Sequence, residues 1–459
     1  MILLINPRFE VSYQPPLGLA YLAASLQAAS AGEVRIIDTT FTPLQAALAD
    51  APEPAVVGVY VMAPYLRHAQ RTVAEVRERF GDVPIVAGGP YPTVQPEEAI
   101  QRLGIRYVVR GEGEQTFPEL IGALRSGADP AAVAGVSYRP APDAAVVHNA
   151  DRPPVADLDA LPFPARQLLP MDRYLRGGTQ KAFSYRGIRA TTMLTSRGCP
   201  YRCTYCQPTI DRLFGRVVRR RSAESILAEI EHLRRDYGVR GIFFVDDTFT
   251  CRRSAVLEFC DELHRRRLGV RLAINARVDT VDPELLAALK RAGGMTVMYG
   301  IESGNQRVLD DIHKRTTVKQ IRQAVRWTHR AGLAVYGYFM IGSCEETPET
   351  IAQTFALARA LPFDEVQFSM AAPYAGTYLH EQATALGLVA DAESMETEGY
   401  FSRASMRSRH MSAEAIRCFH GRLDRYAKAK SLANLLRHSP GALPAVLANR
   451  VLPRWFDRR

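Results

Sequence analysis

Apolar positions are arranged in two series along the chain, and each series predicts its own sheet. In the first, the short and nearly unbroken runs "MILLIN" (1–6), "VRIID" (34–38), "VVGVYV" (56–61), "PIVAGG" (84–89) and "RYVVRG" (106–111) read as strands buried on both faces. "LGLAYLAASLQAA" (17–29) and residues 66–80 and 95–103 carry helical spacing between them. This is the pattern of a doubly wound, Rossmann-like α/β domain, whose ligands settle at the carboxyl ends of the strands. Those ends carry Asn6-Pro7, "MAPY" (62–65), Gly88-Gly89-Pro90 and "GEGE" (111–114). Residues 139–174 are rich in proline, alanine and aspartate and read as a linker.

The second series starts at 191 and is more regular. Strands are predicted at 191–196, 241–247, 271–276, 296–301, 335–342 and 365–371, with helices at 222–236, 254–267, 283–292, 318–331 and 347–360. Six such repeats predict a partial (β/α)6 TIM-like barrel. Beyond 385 the pattern is helical and basic. The expected organisation is a first domain at 1–138, a linker at 139–190, a barrel at 191–385 and a helical extension at 386–459.

The 459 residues suffice for two or three cores, and 47% apolar with 23% charged residues is ordinary for a globular protein. The longest apolar run, "AVVGVYVMAPYL" (55–66), is too short to cross a bilayer, and the opening residues lack the marks of an export signal. Seven cysteines without framework spacing suit a reducing cytoplasm. The net charge of +10 resides in the tail, since residues 401–459 hold thirteen Lys/Arg against three Asp/Glu. That asymmetry speaks to partners and not to chemistry.

The chemistry is carried by "SRGCPYRCTYCQ" (196–207), which places Cys199, Cys203 and Cys206 directly after the first barrel strand. A structural zinc site would want a fourth ligand at matching spacing, and a disulfide oxidoreductase would leave one thiol idle. Three thiolates suit a 4Fe–4S cluster with one iron open to another ligand. Gly198 and Pro200 bend the loop, and Arg197 and Arg202 are expected to place positive charge near an anionic cluster.

C-x-x-x-C-x-x-C, with Tyr205 before the last cysteine and a strand before the first, resembles the radical S-adenosylmethionine (SAM) enzymes. The resemblance implies that SAM completes the cluster's fourth corner and is cleaved by one electron to a 5′-deoxyadenosyl radical. The electron would come from a donor such as flavodoxin or ferredoxin. "FFVDDTF" (243–249) resembles the family segment that positions the SAM amino group, through Asp246 or Asp247. "INARVD" (274–279) offers Asn275 and Arg277 to ribose and carboxylate. "YGIESGNQRVLD" (299–310) offers Glu302 to the ribose hydroxyls, with Ser303 beside it. "FMIGSCEETPETI" (339–351) resembles the turn that packs on adenine, at Ile341, and "APYAGT" (372–377) the sixth-strand exit.

"PPLGLAYLAA" (15–24), "VAGGPYPTVQPEEA" (86–99) and "VVRGEGEQTFPEL" (108–120) resemble the cobalamin-binding domain fused to one large radical SAM subgroup. The resemblance implies a corrinoid at Gly88, Gly89, Pro90, Gly111, Glu112, Gly113 and Glu114, with Met62 and Tyr65 towards its lower face. Glycine-rich strand ends would let the flat ring approach the backbone. A D-x-H-x-x-G loop is absent: the sole D-x-H, "DIH" (311–313), lacks the glycine.

The function these implications predict is methylation of an unactivated carbon in a small-molecule substrate, such as a natural product or lipid. The alternative is a radical rearrangement, dehydration or cyclisation without methyl transfer, the first domain not using cobalamin. From another class, the chain would be a docking subunit whose basic tail, 430–459, meets a membrane surface or a protein. No nucleic-acid partner is expected.

Overall fold

The computed structural model describes residues 1–7, 14–176, 188–390 and 404–438. The chain forms two compact units: residues 1–170 with 197–220 and 372–406, and residues 171–196 with 221–371 and 407–459.

The first unit is built on a seven-stranded sheet in the order Val34–Asp38, Ile2–Asn6, Val56–Tyr60, Ile85–Gly88, Tyr107–Val109, Val136–Tyr138, Val147–His148. The first five are parallel, Val136–Tyr138 pairs antiparallel to the fifth, and Val147–His148 pairs antiparallel to Val136–Tyr138. Ile2–Asn6 explains the unbroken apolar runs. Leu3 and Ile5 enter one core with helices Leu66–Phe80 and Pro96–Leu103, while Ile2 and Leu4 enter another with helices Leu17–Ala28 and Gly113–Ser126. Strand order reverses on either side of Ile2–Asn6, so a ligand crevice of the doubly wound type opens at the carboxyl ends of Ile2–Asn6 and Val56–Tyr60.

Two elements here differ from the sequence expectation. Helix Gly113–Ser126, where the sequence pattern predicts no helix, begins inside the "GEGE" strand end, and Pro118 sits in its second turn. Part of the proline-rich stretch pairs as an edge, because Val147–His148 joins the sheet through Val136–Tyr138.

The second unit holds a six-stranded, wholly parallel sheet in sequential order: Ala190–Met193, Gly241–Phe244, Arg271–Ala276, Gly294–Glu302, Ala334–Ile341, Glu365–Met370. Sequential order with a helical crossover between each pair of neighbouring strands is the partial barrel predicted. Several of its helices start on side-chain caps: Ser222, Asp282, Thr317 and Thr347 each accept from a backbone amide of the first turn. Helix Ala413–His438 packs on the last strand, with His420 Nε2 3.0 Å from the Phe368 carbonyl oxygen. The basic extension is thus partly a helical cap. The remainder of the proposed tail contact, 439–459, lies outside the described residues.

Among the described residues no helix is long and apolar enough to cross a membrane.

Candidate active site

Three constellations carry the chemistry-bearing residues. The first is the cysteine loop, in the first unit. Cys199 is half-buried, Cys203 buried and Cys206 exposed, and none of the seven cysteines is in a disulfide. The amides of Cys206 and Gln207 both donate to the Cys203 carbonyl, at 3.1 and 3.0 Å, which curls the loop. The buried Gln207 side chain braces it by donating to the Tyr201 carbonyl (3.1 Å) and accepting from the Asp211 amide (3.0 Å). Tyr378 and Leu379 add amide donors to the carbonyls of Gln207 (2.8 Å) and Thr204 (3.0 Å). Residues after "APYAGT" therefore support this loop, a role with no signal in the sequence. Tyr205, half-buried, lies within it.

Arg197 does not turn a spare charge towards the cysteines. Its Nη1 donates to Glu112 Oε1 (2.8 Å) and its Nη2 to Glu114 Oε1 (2.6 Å), and its guanidinium lies 5.3 Å from the Tyr21 ring centroid. Arg219 completes the set, with Nη1 2.9 Å from Glu112 Oε2 and Nη2 2.9 Å from Glu112 Oε1. The Val155 amide also donates to Glu112 Oε2, at 2.6 Å. Burial pushes the Glu112 carboxyl up, but the hydrogen bonds from Arg219 and Arg197 outweigh it and hold the group below its ordinary range. Burial likewise lowers Arg197, and its two carboxylates more than reverse that. Arg202 pairs with Asp211 at 3.2 Å.

The second constellation is the crevice end of the seven-stranded sheet. Asn6 is fully buried, and among the described residues neither its amide nitrogen nor its amide oxygen has a hydrogen-bond partner. Met62 and Tyr65 are half-buried, at and within a short 3-10 turn, Ala63–Tyr65. Gly89 adopts φ 108°, and a Cβ there would stand 2.9 Å from both the Tyr60 ring and the Val61 carbonyl oxygen. Gly89 therefore serves this backbone packing in its own right. A Cβ at Gly88 meets only the Val109 carbonyl oxygen, at 3.8 Å. Pro90 opens helix Pro90–Val94. Gly111, at φ 69°, packs towards the carbonyls of Arg212 and Leu213, and Gly113 begins its helix beside Leu22.

The third constellation lies at the strand ends of the half-barrel. Asp246 is buried, and its Oδ1 accepts from the Thr195 amide (2.9 Å), Thr195 Oγ1 (3.0 Å) and Ser196 Oγ (2.6 Å). Asp247 is exposed. Asn275 Nδ2 reaches the Asp246 carbonyl at 3.4 Å. Arg277 grips Asp279 with Nε and Nη2 (3.0 and 3.1 Å) and the Lys314 carbonyl at 2.7 Å. Glu302 Oε1 accepts from Lys314 Nζ at 2.8 Å, both side chains largely buried. A bulge between Gly300 and Glu302 and a φ of 61° at Glu302 set this carboxylate, a strained conformation for a non-glycine residue. A Cβ at Gly300 would stand 2.8 Å from Lys314 Nζ, so glycine makes room for the pair. Ser303 Oγ lies 3.1 Å from Thr354 Oγ1, and Ile341 is buried at its strand end.

Sequence reasoning missed Lys314 and Arg219. Lys314 follows Glu302 by twelve residues and Arg219 lies in "RVVRRR"; neither spacing marks a partner.

Such a half-barrel, with a three-cysteine loop after its first strand, is that of a radical SAM enzyme. Residues 193–358 match the Radical SAM superfamily model, and residues 11–121 match the B12 binding domain model. The chain is 34% identical to an uncharacterized methyltransferase of Pyrococcus horikoshii over 84% of both chains. It is 31% identical to the anaerobic magnesium-protoporphyrin IX monomethyl ester cyclase of Rubrivivax gelatinosus, over 81% of this chain and 68% of that one. The chain belongs to the radical SAM superfamily, in the group whose radical SAM domain follows a B12 binding domain. Its fold is shared with the radical SAM methyltransferase TsrM of Kitasatospora setae, solved with cobalamin and a [4Fe-4S] cluster: TM-score 0.69 at 22% identity, covering 83% of this chain and 75% of that one.

The cofactors are accordingly a 4Fe–4S cluster, SAM and cobalamin. The donor sets fit them. Cys199, Cys203 and Cys206 are three thiol donors on one short loop curled on the Cys203 carbonyl, the donor chemistry of an iron–sulfur cluster. The Asn6 amide, without a partner among the described residues, and the open Gly88 position, at strand ends of the same sheet, suit a ligand rimmed with amide groups.

Proposed function

We propose that the protein is a cobalamin-dependent radical SAM methyltransferase acting on an unactivated carbon of a small molecule. When bound, the cluster with SAM supplies a carbon-centred radical and the corrinoid supplies a methyl group, the pair needed at a carbon without acidity. The observation that carries this reading is that residues 197–220, with all three cysteines, pack in the same compact unit as the seven-stranded sheet. A first domain that were a bystander would have no need to hold the cysteine loop.

In this reading Cys199, Cys203 and Cys206 ligate iron. Asp246, fixed by Thr195 and Ser196, faces the SAM ammonium with Asp247, while Asn275, Arg277 and Glu302 hold its ribose and carboxylate. Ser303 and Ile341 shape the adenine side. Asn6, Met62, Tyr65 and the Gly88–Pro90 turn face the corrinoid. The electron comes from a flavodoxin or ferredoxin.

A second reading is favoured by the similarity to the cyclase: radical ring closure with no methyl transferred. Turnover with SAM carrying a deuterated methyl group separates the two. The first reading expects the intact deuterated methyl in product; product without deuterium, formed along with 5′-deoxyadenosine, would establish the second.

A further inference from the structure

The Arg197–Glu112–Glu114–Arg219 quartet is the most heavily committed charged group in the first unit, and SAM cleavage assigns it no part. All four side chains are nearly buried, at 7%, 4%, 8% and 11% exposure. Arg197 donates one nitrogen to each of two carboxylates, which fixes both the position and the rotation of its guanidinium plane. Arg219 and the Val155 amide hold Glu112 from the opposite side, and Arg219 Nη2 donates to the Phe214 carbonyl at 2.8 Å. Only Gly198 separates the clamped Arg197 from Cys199. Its φ is 92°, and a Cβ there would stand 3.0 Å from the Val217 carbonyl oxygen, so this link is pressed against the returning chain. From the other end, Gly111 packs on the short helix Thr209–Phe214 that follows the third cysteine. The "GEGE" turn thus touches the cysteine loop both before its first thiol and after its last.

We infer that Glu112 and Glu114 are positioning residues for the iron–sulfur cluster: through Arg197 they hold the cysteine loop in ligating geometry and neutralise the arginine beside it. The inference rests on the reading that Cys199, Cys203 and Cys206 hold the cluster. Buried ion networks seldom stabilise a fold more than apolar groups of equal volume, but they fix geometry, and partners one step beyond the metal ligands control metal retention. The quartet sums to zero charge, so removing one carboxylate leaves a net positive charge near the cluster.

The test uses the full chain, reconstituted anaerobically with iron and sulfide. Arg197→Lys keeps the charge but cannot span two carboxylates, and iron retained after desalting should fall roughly tenfold. Glu114→Gln keeps the shape and removes one charge. Its cluster should show altered electron paramagnetic resonance g-values and a midpoint potential shifted upward. Glu229→Gln, which breaks the equally buried Arg221–Glu229 pair of the other unit, is the control for lost stability and should keep wild-type g-values and potential. If Arg197→Lys is recovered unfolded, Glu114→Gln decides alone. Wild-type g-values and potential in Glu114→Gln, or the same change in Glu229→Gln, would overturn the inference. Cys199→Ala separates the two failures: a cluster kept in that variant removes the underlying reading. A cluster lost there but unchanged in Glu114→Gln removes only the clamp.

Discussion

The two sheets of this molecule prepare for ligands in opposite ways. At the crevice of the seven-stranded sheet the residues proposed to face the corrinoid are glycines, a methionine and a tyrosine, together with an asparagine amide that has no partner among the described residues. At the strand ends of the half-barrel the charged candidates are held in place by partners in their own unit: Asp246 by Thr195 and Ser196, Arg277 by Asp279, Glu302 by Lys314. The first site is made by leaving room, the second by fixing charges in advance. A large amide-rimmed ring needs backbone approach and a few neutral hydrogen bonds. A zwitterion such as SAM needs oriented charges, whose burial is tolerable only when they are paired.

The largest effect should come from the cysteines. Cys199→Ala, Cys203→Ala and Cys206→Ala should each abolish the cluster in anaerobic iron and sulfide analysis, while Cys251, Cys260, Cys344 and Cys418 variants retain it. Cluster loss in Cys344→Ala would break the assignment.

Next in size is a pH effect of opposite sign in the two units. Burial raises the Glu346 carboxyl, behind the fifth barrel strand, to about 7. Its native state therefore holds a proton that the unfolded chain releases, so its contribution falls as pH rises from about 4.5 to about 7. Glu346→Gln should remove that loss, gaining roughly 3 kcal/mol over wild type above pH 7 and little at pH 4.5, by denaturant titration. Glu112 behaves conversely: its depressed carboxyl stabilises the first unit above the ordinary carboxylate range and is lost as pH falls through its lowered value. Parallel responses of Glu346→Gln and Glu112→Gln to pH would erase the contrast.

Glu302→Ala should weaken SAM binding by about 2 kcal/mol, the worth of a charged hydrogen bond. Lys314→Met should act in the same direction by freeing the carboxylate it orients. Calorimetric titration of the anaerobic protein checks both, and wild-type affinity in Glu302→Ala would displace the ribose site.

The smallest effect is at Asn6. Asn6→Leu should lower hydroxocobalamin affinity about 5- to 10-fold, one neutral hydrogen bond, by equilibrium dialysis. Without corrinoid the variant should be as stable as wild type or more so, since the amide it removes is buried without partners. A destabilised variant with unchanged affinity would return Asn6 to the core.

How much of this was legible follows from the same contrast. The parallel strands are buried on both faces and so read as continuous apolar runs; Leu66–Phe80 and Arg271–Ala276 fall where the pattern puts them. Helix Gly113–Ser126 and the edge strand Val147–His148 did not, because glycine and proline signals overrode weak periodicity. The cysteine spacing is local and legible. The partners of Arg197 lie over eighty residues away and belong to a turn whose glycines suggested a different role.

The most direct test of the central claim quantifies S-adenosylhomocysteine and 5′-deoxyadenosine in one anaerobic sample of reconstituted full chain with SAM, reductant and hydroxocobalamin. The account predicts both products. S-adenosylhomocysteine should require the corrinoid and fall in Asn6→Leu at limiting corrinoid, and 5′-deoxyadenosine should vanish in Cys199→Ala. Formation of 5′-deoxyadenosine with no S-adenosylhomocysteine at any corrinoid concentration would contradict it.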